Sequence, residues 1–302
     1  MASFWDSLVQ RFKQGTIVTR LIYINVAVFL ALRLLLFIFG KFQIDGNGLM
    51  ALLQMPSDWS SIIIKPWTVF TYMFVHLSLL HVFMNMLWLY FFGEMFLRWF
   101  NARQLGGLYI LGGLIGGLFF ALFFNLLPIR NGEANTCYLT GASAAVLALG
   151  IAVACYRPNE PIRLLLFGTF KLKYLAITMV ILDALSLDSN NAGGNLAHLG
   201  GALAGVAFGF SLRKGIDLTS WINPMLGWFT NLIPRHRRKM KVTYRRPKQE
   251  KVNKTVDLEQ AYRDHKKQEM DQLDIILDKI KQSGYESLSK AEKKQLFDQS
   301  KK

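Results

Sequence analysis

The chain has 302 residues, of which 52% are hydrophobic, yet its formal net charge is +15. These values exclude one homogeneous soluble globule, because residues 18–212 are overwhelmingly apolar and the last 90 residues are charged and rich in lysine. About 20 apolar residues are enough to cross the hydrocarbon of a bilayer. The composition therefore predicts a membrane protein with a soluble tail.

Residues 1–17 are predicted to form an amphipathic segment at the membrane surface. Phe4, Trp5, Leu8 and Phe12 fall on one face of a helix there. A small-residue cleavage site does not follow them, so we do not expect a cleavable signal peptide.

Residues 18–212 are predicted to form an all-α, polytopic bundle of six membrane-spanning helices. The connection at 40–66 is unusually apolar for an exposed loop, and we expect it to lie partly in the bilayer surface with its backbone satisfied internally. The predicted spans are about Val18 to Phe39, Thr68 to Phe92, Leu105 to Phe124, Thr140 to Cys155, Tyr174 to Leu187 and Asn195 to Leu212.

The distribution of lysine and arginine predicts the orientation of the bundle. Basic residues precede the first span and follow the second, fourth and sixth, whereas the alternate connections hold few. Because basic connections stay on the cytoplasmic side, we expect a multi-pass protein of the cell (inner) membrane with both termini cytoplasmic.

Two segments of different composition follow the last span. Residues 213–234 are predicted to form an interfacial amphipathic segment, with a seventh span as the alternative. Residues 235–254 are predicted to be a polybasic linker, with eight basic residues in the 14 of "RHRRKMKVTYRRPK". Such a patch beside a span suits anionic lipid headgroups. Nucleic acid is the rival partner for this charge, and we do not expect it.

The final segment, residues 255–302, is predicted to form a soluble, cytoplasmic helical hairpin. Gly284 suits a helix stop, and Ser289 with Glu292 matches a capping box for a second helix. Without visible chemistry, such a hairpin is typical of a docking or oligomerisation element, so a protein partner is possible. One apolar stripe at helical spacing is made by Leu273, Ile276, Leu277 and Ile280.

Polar residues inside apolar spans are costly and mark functional sites by default. Three of the five histidines, His76, His81 and His198, lie in or beside predicted spans, together with Asn85. On a helical second span His81 and Asn85 share a face, and His76 lies about 140° away from His81. The nearest downstream carboxylate is Glu94, so the H-E-x-x-H pattern of zinc proteases is not matched and we expect no metal.

A serine and a histidine lie near the starts of two spans that are rich in small residues. Ser143 lies a few residues after the start of the fourth, in "GASAAVLALG", and His198 lies in the sixth with Gly201 and Gly205 below it on the same face. Small residues let helix backbones approach closely in lipid. Both spans run in the same direction, so the two side chains are expected at one depth, where a serine hydroxyl can reach an imidazole base. Ser143 alone would more often be a packing residue, whereas His198 alone would be as often a packing or hydrogen-bonding residue as a functional one.

Three motifs together resemble the signature of the rhomboid family of intramembrane serine proteases. They are "GASA" with Ser143, the H-x4-H-x3-N pattern of His76, His81 and Asn85, and "AHLGGALAG" with His198. The resemblance extends over the six predicted spans and includes the order of the motifs. It implies a six-helix membrane fold and an endopeptidase that needs no cofactor.

The resemblance also implies a role for each matching residue. Ser143 would be the nucleophile and His198 the general base of a Ser–His dyad, with no third acidic member required. His81 and Asn85 would stabilise the oxyanion together with the backbone amide of Ser143. Structural support is implied for His76, which would hold the first loop, and for Glu94, which would tether helices. The small residues given the same supporting role are Gly141, Gly201 and Gly205.

The chain departs from the common family pattern at three places. Ala144 stands where a glycine is usual, but it is still small enough for close packing. Leu147 stands where many members have an aromatic ring that stacks on the catalytic histidine, so the orientation of His198 must depend on other contacts. Trp59 is followed by Ser60, where many members have arginine in the first loop.

These observations predict an intramembrane serine endopeptidase that cleaves transmembrane segments of membrane proteins through an acyl-enzyme. The alternative is a catalytically inactive relative that binds membrane segments. Such relatives typically lose the serine or the histidine, and this chain keeps both. A transporter would carry charges along a pathway, and Arg33 and Asp183 are too few and too scattered to indicate one.

Overall fold

The chain divides into two units, Met1–Arg235 and His236–Lys302. Each unit has its own internal packing and is described by itself. The structure is a computed structural model, and it describes residues 4–126, 137–164, 168–187, 191–222, 224 and 254–299.

The first unit is mainly α-helical, with two small antiparallel strand pairs. The strands β1 (Met55–Pro56) and β2 (Tyr138–Leu139) form one pair, and β3 (Pro161–Leu164) and β4 (Gly168–Lys171) form the other. Its helices are α1 (Phe4–Gln14), α2 (Ile17–Lys41), α3 (Asn47–Leu53), α4 (Trp59–Ile64), α5 (Thr68–Thr71), α6 (Leu79–Leu97), α7 (Ala102–Leu126), α8 (Ser143–Tyr156), α9 (Leu172–Leu185) and α10 (Ala192–Arg213).

Among the described residues four helices are long and apolar enough to cross a bilayer, namely α2, α6, α7 and α10. The helices α8 and α9, with 14 residues each, occupy the two remaining apolar segments and are shorter than a full span. The predicted all-α, polytopic membrane bundle is confirmed.

The predicted start of the second span is wrong. The spanning helix α6 begins at Leu79, and the residues before it form the short helix α5 and a 3₁₀ turn at Tyr72–Phe74. Ser78 sets this boundary, because its side-chain oxygen accepts a hydrogen bond from the His81 amide and caps the helix. Hydropathy does not register such a cap, since apolar residues stand on both sides of it.

The centre of the first unit is α8, in which every residue from 144 to 154 is buried. Small residues of α7 and α10 surround it. A Cβ atom added to Gly112 or Gly116 of α7 would lie 2.5 Å from Ala148 Cβ or 2.6 Å from Ala144 Cβ. The alanines and glycines therefore allow the backbones to approach closely, as small residues do in membrane helices.

The connection between α2 and α6 is held by hydrogen bonds within itself. The Trp67 indole nitrogen donates to the Leu52 carbonyl at 2.8 Å, and the Thr71 hydroxyl donates to the Leu53 carbonyl at 2.8 Å. These bonds satisfy backbone carbonyls of an apolar loop, as expected from the sequence. The loop is thus anchored in part by its own side chains.

The second unit contains α11 (Lys254–Ser283) and α12 (Lys290–Gln299), joined through a 3₁₀ turn. Both predicted helix signals are present. Gly284 follows α11 with a φ of +75°, and the Ser289 amide and the Glu292 carboxylate are 2.7 Å apart in a capping box. Of the predicted apolar stripe, Ile276 is buried, whereas Leu277 is about half exposed.

Two predicted segments fall largely outside the described residues. These are the interfacial segment at 213–234, of which residues 223 and 225–234 are not described, and the polybasic linker at 235–254, of which only Lys254 is.

Candidate active site

Ser143 and His198 meet at one end of the buried helix α8. Ser143 is the first residue of α8, and His198 lies in the second turn of α10. The serine Oγ lies 2.7 Å from His198 Nε2, which is hydrogen-bonding distance. The predicted approach of these two side chains is therefore seen, although both helices begin three residues away from their predicted starts.

The glycines of α10 make this approach possible. A Cβ atom on Gly201 would overlap the backbone carbonyl of Ala144, the residue next to the nucleophile candidate. One turn further on, a Cβ on Gly205 would lie 2.5 Å from the Ala148 carbonyl oxygen. The backbones of α8 and α10 thus touch at positions where no side chain larger than hydrogen fits.

A third polar side chain, Asp183, reaches His198 from the last turn of α9. Its Oδ1 lies 2.8 Å from His198 Nδ1, on the opposite side of the ring from Ser143. From the sequence alone Asp183 is a scattered charge without an assigned role. A usable signal was present, because Asp183 is the single acidic residue in the helix sequence "LKYLAITMVILDAL".

The three side chains open into a cavity of about 260 Å³ between α6, α8, α9 and α10. Its polar lining comes from Asn85, Ser143, Asp183 and His198. A few polar groups in a mainly apolar cavity are typical of a site that orients one bond of an apolar ligand. The apolar lining includes Trp88, Phe92, Leu147, Met179 and Leu182.

His81 and Asn85 flank this site through α6. Gly141 has a φ of +109°, and a Cβ there would lie 2.7 Å from His81 Nε2 and 3.9 Å from Ser143 Oγ. The imidazole therefore lies against the strand-to-helix turn that carries the serine, and Gly141 is required both by its backbone angle and by the space. Asn85 donates to the His81 carbonyl at 2.9 Å, and its buried Oδ1 has no hydrogen-bond partner among the described residues.

Comparison with known proteins identifies the fold that carries this site. The Rhomboid domain family matches residues 64–215, which include all of α6 to α10. The chain belongs to the rhomboid family. A second match covers residues 255–302, with a family of unknown function, DUF6576. The recognition made from the three motifs is confirmed.

Curated relatives of this rhomboid chain include plant and bacterial proteins. It is 26% identical over 220 residues to RHOMBOID-like protein 12, mitochondrial, of Arabidopsis thaliana, a match that covers 70% of this chain and 62% of that protein. It is 26% identical over 174 residues to RHOMBOID-like protein 6, mitochondrial, of the same plant, covering 57% and 50%. The match to rhomboid protease GlpG of Haemophilus influenzae is 26% over 152 residues, covering 49% and 72%.

The chain therefore spans between a half and three quarters of the length of these relatives. Its family and its apolar helices place it in a membrane.

His76 lies elsewhere than the sequence predicted for this rhomboid chain. It precedes α6, and its ring packs edge-on against His81 with 5.0 Å between centroids, although a continuous helix would have placed the two about 140° apart. The ring is 3% exposed, and its Nε2 has no partner among the described residues. Burial, and secondarily the neighbouring His81, lowers the pKa of His76 from 6.5 to about 4. A neutral His76 therefore supports the His81 ring from outside the spanning helices.

The remaining candidate, Glu94, makes no tether in the described part of the rhomboid domain. Its side chain is half-buried near the end of α6, without a hydrogen bond or ion pair to a described residue. The described residues also contain no group of three or more His, Cys, Asp or Glu side chains that could hold a metal ion.

Proposed function

We propose that this rhomboid chain is an intramembrane serine endopeptidase that cleaves transmembrane segments of membrane proteins. The observation that carries the proposal is the 2.7 Å contact between Ser143 Oγ and His198 Nε2 in an apolar cavity among membrane helices. A nucleophile hydrogen-bonded to a base that a third group orients is the diagnostic arrangement of covalent acyl transfer.

In the proposed reaction Ser143 Oγ attacks the scissile carbonyl carbon while His198 Nε2 takes the hydroxyl proton. The tetrahedral intermediate collapses, the C–N bond breaks, and His198 donates the proton to the leaving amine. A water molecule, activated by the same Nε2, then hydrolyses the acyl-enzyme. The reaction needs serine, histidine and water, and no cofactor.

The developing oxyanion would be stabilised at the start of α8. The cap residue Ala142 has no side-chain hydrogen bond to the first-turn amides, so the Ser143 amide is available as a donor. We propose that His81 and Asn85 add side-chain donors from α6, because His81 lies against Gly141 and Asn85 lines the cavity. Donors in a water-poor site act most strongly on developing charge.

The lining of the cavity supports a membrane-embedded substrate. The side chains that surround the polar groups are apolar, so they match the apolar side chains of a membrane segment. An intact helix hides its carbonyl carbons from attack. We therefore propose that substrates carry small or helix-destabilising residues near the cleaved bond.

The location and partners follow from the sequence. We propose the cell (inner) membrane with both termini cytoplasmic, on the distribution of basic connections. The polybasic residues 235–248 would bind anionic lipid headgroups, and the C-terminal helices would bind a protein partner. We do not propose a nucleic-acid ligand.

The test uses the full-length protein purified in detergent and incubated with a model transmembrane substrate. We expect Ser143→Ala and His198→Ala to abolish cleavage, with Ser211→Ala and His265→Ala as matched controls that keep it. A fluorophosphonate probe should label Ser143 in the wild type and fail in His198→Ala. Full cleavage by both site variants would refute the mechanism. No cleavage and no labelling of the wild type would instead favour the inactive relative.

A further inference from the structure

The contact between Asp183 and His198 joins two side chains that are largely shielded from solvent. The side chain of Asp183 is 16% exposed and that of His198 is 23% exposed, and their 2.8 Å separation is short enough for a charge-assisted hydrogen bond. The two residues lie on separate helices, α9 and α10, and 15 residues apart in the chain. The pair is therefore a tertiary contact and not a product of local helix spacing.

The helix α9 itself gives no reason for a carboxylate at position 183. The residue is in the last turn, where the helix dipole disfavours a negative charge. Its other neighbours along the helix are apolar. Among the described residues, His198 is the single basic side chain within 4.0 Å of this carboxylate. The position of Asp183 is thus explained by its partner on α10.

The chemistry of the three groups fixes the direction of their hydrogen bonds. An ionised carboxylate can accept but cannot donate, so His198 Nδ1 carries the proton that bonds to Asp183. In the neutral imidazole Nε2 is then the acceptor, and it faces the hydroxyl of Ser143. Asp183 therefore selects the tautomer in which His198 can take the proton of Ser143.

The geometry points to Asp183 as the residue that positions the catalytic histidine and stabilises its protonated form, so that the site operates as a Ser143–His198–Asp183 triad. This inference rests on the proposed protease function and deepens it. When Ser143 Oγ forms its bond to the substrate carbon, its proton moves to Nε2 and His198 becomes an imidazolium. Asp183 keeps the Nδ1 hydrogen bond and stabilises that positive charge.

No other described group takes this role. Among the described residues no aromatic ring stacks on His198, although Trp88 and Phe92 line the same cavity. Leu147, also in the lining, can limit the space around the ring but cannot fix which nitrogen is protonated. The hydrogen bond from Nδ1 is therefore the contact that decides the orientation of His198.

The closing experiment measures kcat and KM of full-length variants on a model transmembrane substrate. We expect Asp183→Asn to lower kcat by about 10²- to 10⁴-fold with little change in KM, because the amide can donate to Nδ1 and favour the wrong tautomer. Asp183→Glu should recover at least tenfold over the asparagine variant. Asp217→Asn, a matched change at a carboxylate that bonds Thr219 outside the site, should behave as wild type.

A second readout does not depend on cleavage. In the Ser143→Ala background, an NMR spectrum of ¹⁵N-labelled histidine should show a downfield Nδ1–H signal of His198 that disappears on adding Asp183→Asn. If Asp183→Asn cleaves within threefold of wild type, or the Nδ1–H signal persists in it, the positioning role is overturned while the protease function stands. If Asp183→Asn changes KM and thermal stability as strongly as it lowers kcat, Asp183 has a structural role only. If the wild type neither cleaves nor labels at Ser143, the protease function fails, and the NMR arm still tests the pair.

Discussion

The packing of α10 on α8 gives a quantitative prediction at Gly201. In Gly201→Ala the new Cβ would overlap the Ala144 carbonyl, a backbone group that no rotamer change can move. The matching contact at Gly205 sets the scale. There a Cβ would lie 2.5 Å from the Ala148 oxygen, and ordinary contact begins at 3.4 Å, so the helices must separate by about 0.9 Å. The shift at Gly201 should be at least as large.

A separation of α8 and α10 by this distance changes the contact between Ser143 and His198, which lies near the start of both helices. If it is taken up between Ser143 and His198, their 2.7 Å contact lengthens to about 3.6 Å, which is no longer a hydrogen bond. Misplacement by about 1 Å can cost about 10²-fold in rate. Overpacking also destabilises a core by about 1–3 kcal/mol. We therefore expect Gly201→Ala to lower kcat/KM by about 10²-fold and to lower Tm.

The assay is cleavage of a model transmembrane substrate in detergent, with thermal unfolding of the same samples. Gly40→Ala is the matched control, because a Cβ on Gly40 of α2 meets no atom within 4 Å. Gly205→Ala should lose less activity than Gly201→Ala, since it lies a further turn from His198. Wild-type kcat/KM and Tm in Gly201→Ala would show that the helices are not in contact there, and the reasoning would be wrong.

Three further results are expected. Gly141→Ala should lower kcat/KM by about 10- to 100-fold, because its Cβ would displace His81; Gly168→Ala, with a similar positive φ in open space, is the control, and equal losses would exclude a role for His81 contact. The pKa of His76 is about 4 in the folded protein and 6.5 at its ordinary value, so the unfolded chain binds a proton first as pH falls. The free energy of unfolding should therefore decline from pH 6.5 to pH 4, by at most about 3 kcal/mol. His76→Gln should flatten this pH profile. The pKa of Glu292 is lowered to about 2 by its bond to the Ser289 amide and then by Lys279. Its stabilisation of α12 should be complete above about pH 4.5 and lost toward pH 2. In the full chain, Glu292→Gln should therefore exchange the amide hydrogens of residues 290–299 faster than wild type at pH 7, and this difference should shrink at pH 3. A difference that stays constant with pH would contradict this.

The membrane bundle could be predicted from its long apolar segments. The exact helix boundaries could not, because they depend on single residues inside those segments. Each predicted span contains one main helix, and the second also contains α5 and a 3₁₀ turn, because an apolar run of this length has few alternatives in a membrane. The start of the second span was wrong because Ser78 is one polar residue among apolar ones. The short helices α3 to α5 were not predicted, because segments of 4 to 7 residues are too short to show a helical hydrophobic period.

The candidate site was predictable where a motif carries it. Ser143 and His198 follow from sequence patterns, and the small residues around them explain their approach. Asp183 could not be paired with His198 from sequence, because the contact depends on how α9 packs against α10. The predicted position of His76 was wrong because the angle of 140° assumes one continuous helix through residues 76–81. The helix α6 begins only after Ser78, so His76 lies outside it.

The length of α8 has a consequence for the supply of water to the proposed reaction. At 1.5 Å per residue its 14 residues extend about 21 Å, roughly 9 Å less than the hydrocarbon of a typical bilayer. A helix this short cannot reach both faces, so with its far end near one face, its first residue lies below the other. Water would then cross about 9 Å to reach Ser143, and not the full thickness of the hydrocarbon. Lengthening α8 by two turns would raise the serine to the surface and separate it from the buried part of any helix it could cut.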